Sequence, residues 1–247
     1  MGALTSHPAS GSHSGIPKRV SFTKPSVAML VRSLRNRGLG STLRTIRVYA
    51  GGALFDLRYG VRTNRWVHRT DLEVVGNNKD NAIEYQPIRV LVFRDAFNSF
   101  QIQPDGVFVD FGSGKGRALL LAILYGFHRV VGVEFAQNLC SVAEHNLNGF
   151  RDRTRRQFEA DVVNVDAAFY PVNDDDCVFF FNNPFDSTVL EQVLSNIRLS
   201  LQSKHRLIHI VYAEPKHRQV LDDDPFWRTV GETTFGGYET VVYDQAH

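Results

Sequence analysis

The residues with the clearest chemistry form one run, Val107-Phe108-Val109-Asp110-Phe111-Gly112-Ser113-Gly114-Lys115-Gly116-Arg117. Gly112, Gly114 and Gly116 stand between an apolar stretch of strand character and a helical one. Glycine there permits a tight turn and lets backbone N–H groups approach a ligand without a Cβ in the way. The placement between strand and helix, more than the glycines themselves, points to a nucleotide-type ligand. A dinucleotide fingerprint, G-x-G-x-x-G, would put its third glycine where this chain has Arg117. The pattern is broken there.

Charge narrows the ligand further. Asp110 lies two residues ahead of Gly112, and Glu134 closes the next apolar stretch, Val130-Val131-Gly132-Val133-Glu134. A pyrophosphate would be repelled by such acids. A ligand with a cationic end and ribose hydroxyls would be attracted, and S-adenosylmethionine, with an ammonium and a sulfonium but no phosphate, has that chemistry. Acids at the ends of two successive strands are hard to explain by packing alone.

A second polar cluster follows another apolar run, in Val178-Phe179-Phe180-Phe181-Asn182-Asn183-Pro184-Phe185-Asp186. Asn182 and Asn183 offer side-chain carbonyls at a strand end, although Asn-Pro also makes an ordinary turn. Phe181, Phe185 and Tyr212 are candidates to line an acceptor pocket, and Asp186 reads as the N-cap of a helix starting at Ser187.

The elements that must position these groups alternate in type. Strands are expected at 107–111, 129–134, near 157–160, at 177–182 and 206–212, with a terminal pair at 227–231 and 239–243. Helices are expected at about 87–100, 117–125, 137–148, 187–201 and 215–221. Such alternation implies α/β architecture, a doubly wound and mostly parallel sheet with ligands outside the carboxyl ends of its strands. Residues 83–247 would make this domain.

The 247 residues, 43% hydrophobic and 22% charged, can bury a real core, which excludes disorder throughout. No apolar run approaches the roughly 20 residues of a membrane-spanning helix, so a soluble globular protein is expected. Two cysteines, Cys140 and Cys177, are too few for a disulfide framework and point to a reducing, cytoplasmic setting. The nine histidines show no ligand spacing, and Asp174-Asp175-Asp176 and Asp222-Asp223-Asp224 read as solvated loop ends, so no metal is expected. His209, in an apolar run, reads as a packed histidine.

The front of the chain differs from the rest. Residues 1–70 hold twelve Lys and Arg against one acid, Asp56. Residues 1–16 read as a disordered leader, and residues 17–82 as a basic cap or substrate segment. Met1-Gly2 followed by Ser6 fits a myristoylation pattern, which recurs by chance. Between Pro25 and Tyr49 two short basic amphipathic helices are expected, broken at Gly38 and Gly40. They would either cap the domain or meet a nucleic acid or anionic membrane surface. Gly51-Gly52 and residues 56–73 read as loops and short strands, and residues 76–81 as a polar turn.

The run from Val107 to Ala122 followed by Val130 to Glu134 resembles the first two motifs of class I S-adenosylmethionine-dependent methyltransferases, over about residues 85–215. Phe108-Val109-Asp110, Gly132-Val133-Glu134 and Phe181-Asn182-Asn183 are most similar to the non-SET, histone-lysine-modifying branch and its bacterial relatives. The resemblance implies a seven-stranded Rossmann-like sheet behind a helical N-terminal cap, S-adenosylmethionine as cofactor and S-adenosylhomocysteine as product. It implies that Asp110, Gly112, Ser113, Gly114 and Gly116 hold the methionine part and Glu134 the ribose. Asp161 looks like the acid for the adenine amino group, with Asp166 as competitor. Tyr85 resembles a tyrosine that covers the methionine end, and a hydrophobic staple on the following helix is the plainer alternative. Asn182, Asn183 and Phe185 would form the catalytic turn, with Asn182 also among the cofactor-binding residues. Nucleobase-type amino-methyltransferases carry an Asn/Asp-Pro-Pro-Tyr/Phe motif whose first proline is replaced here by Asn183, so a protein amino group of lysine type is the expected acceptor. A nucleic-acid or small-molecule amine is the alternative, and a non-catalytic cofactor-binding module with a basic front is a third reading.

Overall fold

The computed structural model describes residues 27–65, 67, 73 and 85–246. The expected leader, the polar turn at 76–81 and most of the stretch between residues 66 and 84 lie outside the described residues.

Seven strands form a single sheet: β1 (Val107–Phe111), β2 (Arg129–Glu134), β3 (Glu159–Asn164), β4 (Asp176–Asn182), β5 (His209–Ala213), β6 (Trp227–Phe235) and β7 (Tyr238–Gln245). Their order is β3-β2-β1-β4-β5-β7-β6. β1 to β5 run parallel, while β7 is antiparallel to both β5 and β6. This is a Rossmann-like methyltransferase sheet. Gly236 and Gly237, with φ of 63° and 88°, close the β6–β7 hairpin in the conformation that a two-residue turn requires.

Alternate side chains of each strand feed two layers. Phe108, Val130, Phe180, Val211 and Val242 pack against α2 (Val90–Ser99), α3 (Arg117–Tyr125) and α4 (Gln137–Thr154). Val109, Val131, Phe179, Phe181, Ile210 and Val241 pack against α5 (Ser187–Ser203) and the short α6 (Gln219–Asp222). The chain reverses direction across the sheet between β1 and β4, so the loops leaving those two strands lie side by side at one edge. The glycine run and the paired asparagines leave from those two strand ends.

Several expected boundaries move. The basic front is a single helix, α1 (Val27–Tyr59), which runs through Gly38, Gly40, Gly51 and Gly52. Glycine in a helix interior costs about 1 kcal/mol against alanine, and tertiary packing overrides that cost. Val48 and Phe55 are buried, and Tyr59 packs at 5.2 Å between ring centroids on Phe150 of α4. A Cβ on Gly52 would overlap the Asn64 side chain and approach Arg117 to 2.8 Å, so this glycine admits neighbours rather than breaking the helix. β3 is longer and later than expected, β5 starts at His209, and the last helix, expected at 215–221, is α-helical only over Gln219–Asp222. Asp176 is a buried acceptor for the Asn173 N–H at 2.7 Å and the Tyr170 hydroxyl at 3.2 Å, not a solvated loop end.

The sheet centre is aromatic. Phe108 is fully buried, with ring centroids 5.3 to 6.1 Å from Phe93, Phe97, Phe127 and Phe180. Phe108→Ala therefore empties the middle of four rings and is expected to destabilise the fold by about 3–5 kcal/mol, read from urea unfolding.

Candidate cofactor and acceptor site

β1 delivers Asp110 and β2 delivers Glu134 to the same edge, with Asp110 in register with Gly132. Both carboxylates are buried, at 3% and 4% exposure. Glu134 is held by its own surroundings: Oε2 accepts from Gly114 N at 2.8 Å and Oε1 from Ala136 N at 3.0 Å. Burial raises its pKa, and the N–H bonds from Ala136, Gly114 and Phe135 oppose that rise. Asp110 has no such relief. Burial, and then the charge of Glu134, push it well above the usual carboxylate range.

The loop between them is anchored on β2, with Gly112 N and Ser113 N both donating to Val133 O at 2.8 and 3.1 Å. Its glycines serve close approach within the protein as well as toward a ligand. At Gly114 a Cβ would overlap the Tyr85 ring, and at Gly112 it would overlap Pro184. The Tyr85 ring thus lies against the loop, and its hydroxyl donates to Thr63 O at 3.0 Å. Pro184 ties the β4 turn to the β1 loop.

In that turn Asn182 donates from Nδ2 to Gln86 O at 2.9 Å, which holds the Tyr85 segment. Asn183 adopts a left-handed conformation, φ 47°, and is buried with Oδ1 unpartnered. Ser113 Oγ is likewise buried and unpartnered. Asp186 is the N-cap of α5, accepting from Val189 N at 3.1 Å.

Two placements differ from expectation. Asp161 lies in the middle of β3, paired with Val131, because the strand runs on to Asn164; it is Asn164 that stands in register with Glu134, and Asp166 follows the strand end. Phe185 does not offer an open ring. It is buried in the α5-side core, edge-on to Phe181 at 6.0 Å, and Phe181 and Tyr212 are also core residues.

A network behind the loop escapes the sequence reading. Arg117, 1% exposed at the start of α3, donates from Nε to Thr63 Oγ1 at 2.6 Å and reaches Ile88 O, Asn64 Oδ1 and Asp56. Asp56 in turn accepts from Thr63 Oγ1 at 2.6 Å and from the N–H groups of Thr63 and Asn64, both at 2.8 Å. The available signal was an arginine opening an otherwise apolar helix, Arg117-Ala118-Leu119-Leu120-Leu121.

S-adenosylmethionine fits these residues. Asp110 lacks a counter-charge that the ammonium end would supply, Glu134 keeps acceptor capacity beyond one N–H per oxygen, and Ser113 and Asn183 hold orphaned polar atoms beside the loop.

The model of the family described as histone methylation protein DOT1 matches residues 85–223, more than half of the chain. No curated protein matches. Among solved structures, an RNA methyltransferase from Salinibacter ruber in complex with S-adenosyl-L-homocysteine is similar at 15% identity and TM-score 0.47, covering 66% of this chain and 95% of its own. A ribosomal protein L11 methylase from Lactobacillus delbrueckii subsp. bulgaricus is similar at 12% identity and TM-score 0.47, covering 67% of this chain and 91% of its own.

The raised pKa of Asp110 sets a sign. The folded, ligand-free chain holds this proton more tightly than the unfolded chain, so its contribution to stability falls as pH rises from about 3.9 through the raised value. Asp110→Asn is therefore expected to raise the thermal midpoint of the ligand-free protein at neutral pH, while weakening S-adenosylhomocysteine binding at least about tenfold by loss of the charge. Wild-type affinity should climb with pH until Asp110 is ionised and then level off, as calorimetric titration across pH would show.

Proposed function

We propose that this chain, which belongs to the DOT1 family of histone methylation proteins, methylates the ε-amino group of a lysine in a protein substrate. It is an S-adenosylmethionine-dependent methyltransferase. The cofactor supplies an electrophilic methyl group on sulfur, and the protein has to hold a deprotonated acceptor nitrogen in line with it.

In this reading Asp110 takes the ammonium of the cofactor's amino-acid end and Glu134 the ribose hydroxyls, with Tyr85 covering the methionine part. The adenine amino group goes to Asp166 rather than Asp161, because Asp166 is the acid that follows β3 and its carboxylate is already oriented by Ala168 N at 3.0 Å.

Asn183 carries the acceptor assignment. Its buried Oδ1 without a partner represents about 1–3 kcal/mol of unmet hydrogen bonding, which an amine N–H would satisfy while leaving the nitrogen lone pair free. A neutral amide suits a lysine better than a carboxylate would. An acid in that place would hold the lysine as ammonium, whereas an amide oxygen adds no charge that raises its pKa. Phe185, the residue that would stack on a flat nucleobase, packs edge-on against Phe181 instead, which favours an amine on a flexible stem. Histones are the substrate class to try first, given the family.

The test is transfer of labelled methyl to core histones, to mixed proteins and to RNA and DNA, with hydrolysis to identify methyl-lysine. Label in nucleic acid with none in lysine would overturn the proposal. Asn183→Ala is expected to lower kcat roughly a hundredfold with S-adenosylhomocysteine affinity little changed. Asn182→Ala should weaken cofactor binding as well, since it releases the Gln86 carbonyl that carries Tyr85; equal behaviour of the two variants would remove the division of roles.

A further inference from the structure

We propose that the outward face of α1 docks on an anionic phospholipid bilayer. The helix has two apolar faces. Val48 and Phe55 turn inward onto the domain. Leu39, Leu43, Ile46, Leu54 and Leu57 point away from it, 65%, 51%, 40%, 63% and 76% exposed. Their spacing, with half-buried Ala50 completing the row, keeps them on one side of a 3.6-residue helix. At 1.5 Å per residue the stripe is about 27 Å long. Exposed apolar surface of that extent marks an interaction site.

Charge selects the occupant. Exposed Arg35, Arg47 and Arg58 border the stripe. The only acid in α1, Asp56, is turned inward and engaged by Thr63, Asn64 and Arg117. The outward face is therefore apolar along its middle and cationic at its edges. Pairing two copies through it would set arginine against arginine with no acid from α1 to answer. A nucleic acid would satisfy the arginines and leave the leucines in water. An anionic bilayer surface meets both demands, taking leucines into the headgroup and acyl boundary and arginines onto phosphates. No helix among the described residues is long and apolar enough to cross a membrane, so α1 would lie in the interface plane.

The experiment floats the full chain with vesicles of phosphatidylglycerol and phosphatidylcholine in equal parts, and with phosphatidylcholine alone. Wild type should float with the anionic vesicles and remain in solution with the neutral ones. The variant Leu39→Gln/Leu43→Gln/Leu54→Gln/Leu57→Gln keeps helix propensity and should bind at least about tenfold more weakly, while its circular dichroism and S-adenosylhomocysteine affinity match wild type. Arg35→Gln/Arg47→Gln should lose the preference for anionic over neutral vesicles. Wild type that ignores both vesicles overturns the proposal, as does a leucine variant that floats like wild type. Sedimentation showing a wild-type dimer that the leucine variant converts to monomer would assign the face to a second copy instead. Duplex DNA binding with no vesicle binding would assign it to nucleic acid.

Discussion

Two carboxylates buried at the mouths of neighbouring parallel strands set the terms for everything around them. Removing a charge from water is expensive unless hydrogen bonds or an opposite charge replace the lost hydration. Glu134 obtains that replacement from the protein, because the loop brings Gly114 N to one oxygen and the start of α4 brings Ala136 N to the other. Asp110 obtains none, and its elevated pKa records the deficit. The folded protein thus holds one satisfied acid and one unsatisfied acid at the same edge of the sheet. A ligand that is cationic at one end and hydroxylated at the other would relieve both, which is the chemistry S-adenosylmethionine offers.

The same loop depends on support from outside the sheet domain. Arg117 stands where a dinucleotide-binding loop would have a third glycine, and its guanidinium is buried against Thr63, Asn64 and Asp56. Thr63 also receives the Tyr85 hydroxyl. One side chain at the start of α3 is thereby linked to the end of α1 and to the aromatic cover over Gly114. Breaking a buried ion pair of this kind leaves a stranded charge, so the N-terminal helix is part of the site's framework as well as a covering element. Gly52 belongs to the same arrangement, since it is the missing Cβ that lets Asn64 and Arg117 pass α1.

What was legible in the sequence follows from how local each signal was. β1, α3 and β2 were read at their observed limits because a buried parallel strand and a glycine turn declare themselves within a few residues. The N-terminal helix was misread because Gly38, Gly40, Gly51 and Gly52 look like breakers, and the contacts of Val48, Phe55 and Tyr59 that override them come from residues far along the chain. Asp161 lies within β3 and not after it. β3 is an edge strand with all six of its residues partly or fully exposed, so its alternation fades and the sequence places its end at Ala160 instead of Asn164. Phe185 kept the residue type of a stacking motif, but whether a ring faces a pocket or a core depends on α5, which the motif does not contain.

The turn after β4 shows how conformation and chemistry constrain one another at the acceptor side. The chain must leave β4, place a polar group at the sheet edge and return to cap α5 at Asp186, and it does so with Asn183 at φ 47°. A side chain with a β-carbon in that region costs on the order of 1 kcal/mol, which glycine would avoid. Glycine, however, has no acceptor to offer. Asparagine is the residue that tolerates the left-handed region and still carries a carbonyl oxygen without charge. Pro184, packed against Gly112, follows directly, and Asn183 Oδ1 is left buried and unpartnered. Backbone strain and an unmet hydrogen bond at one residue are difficult to account for by stability, and both become intelligible if the residue is there to hold an amine.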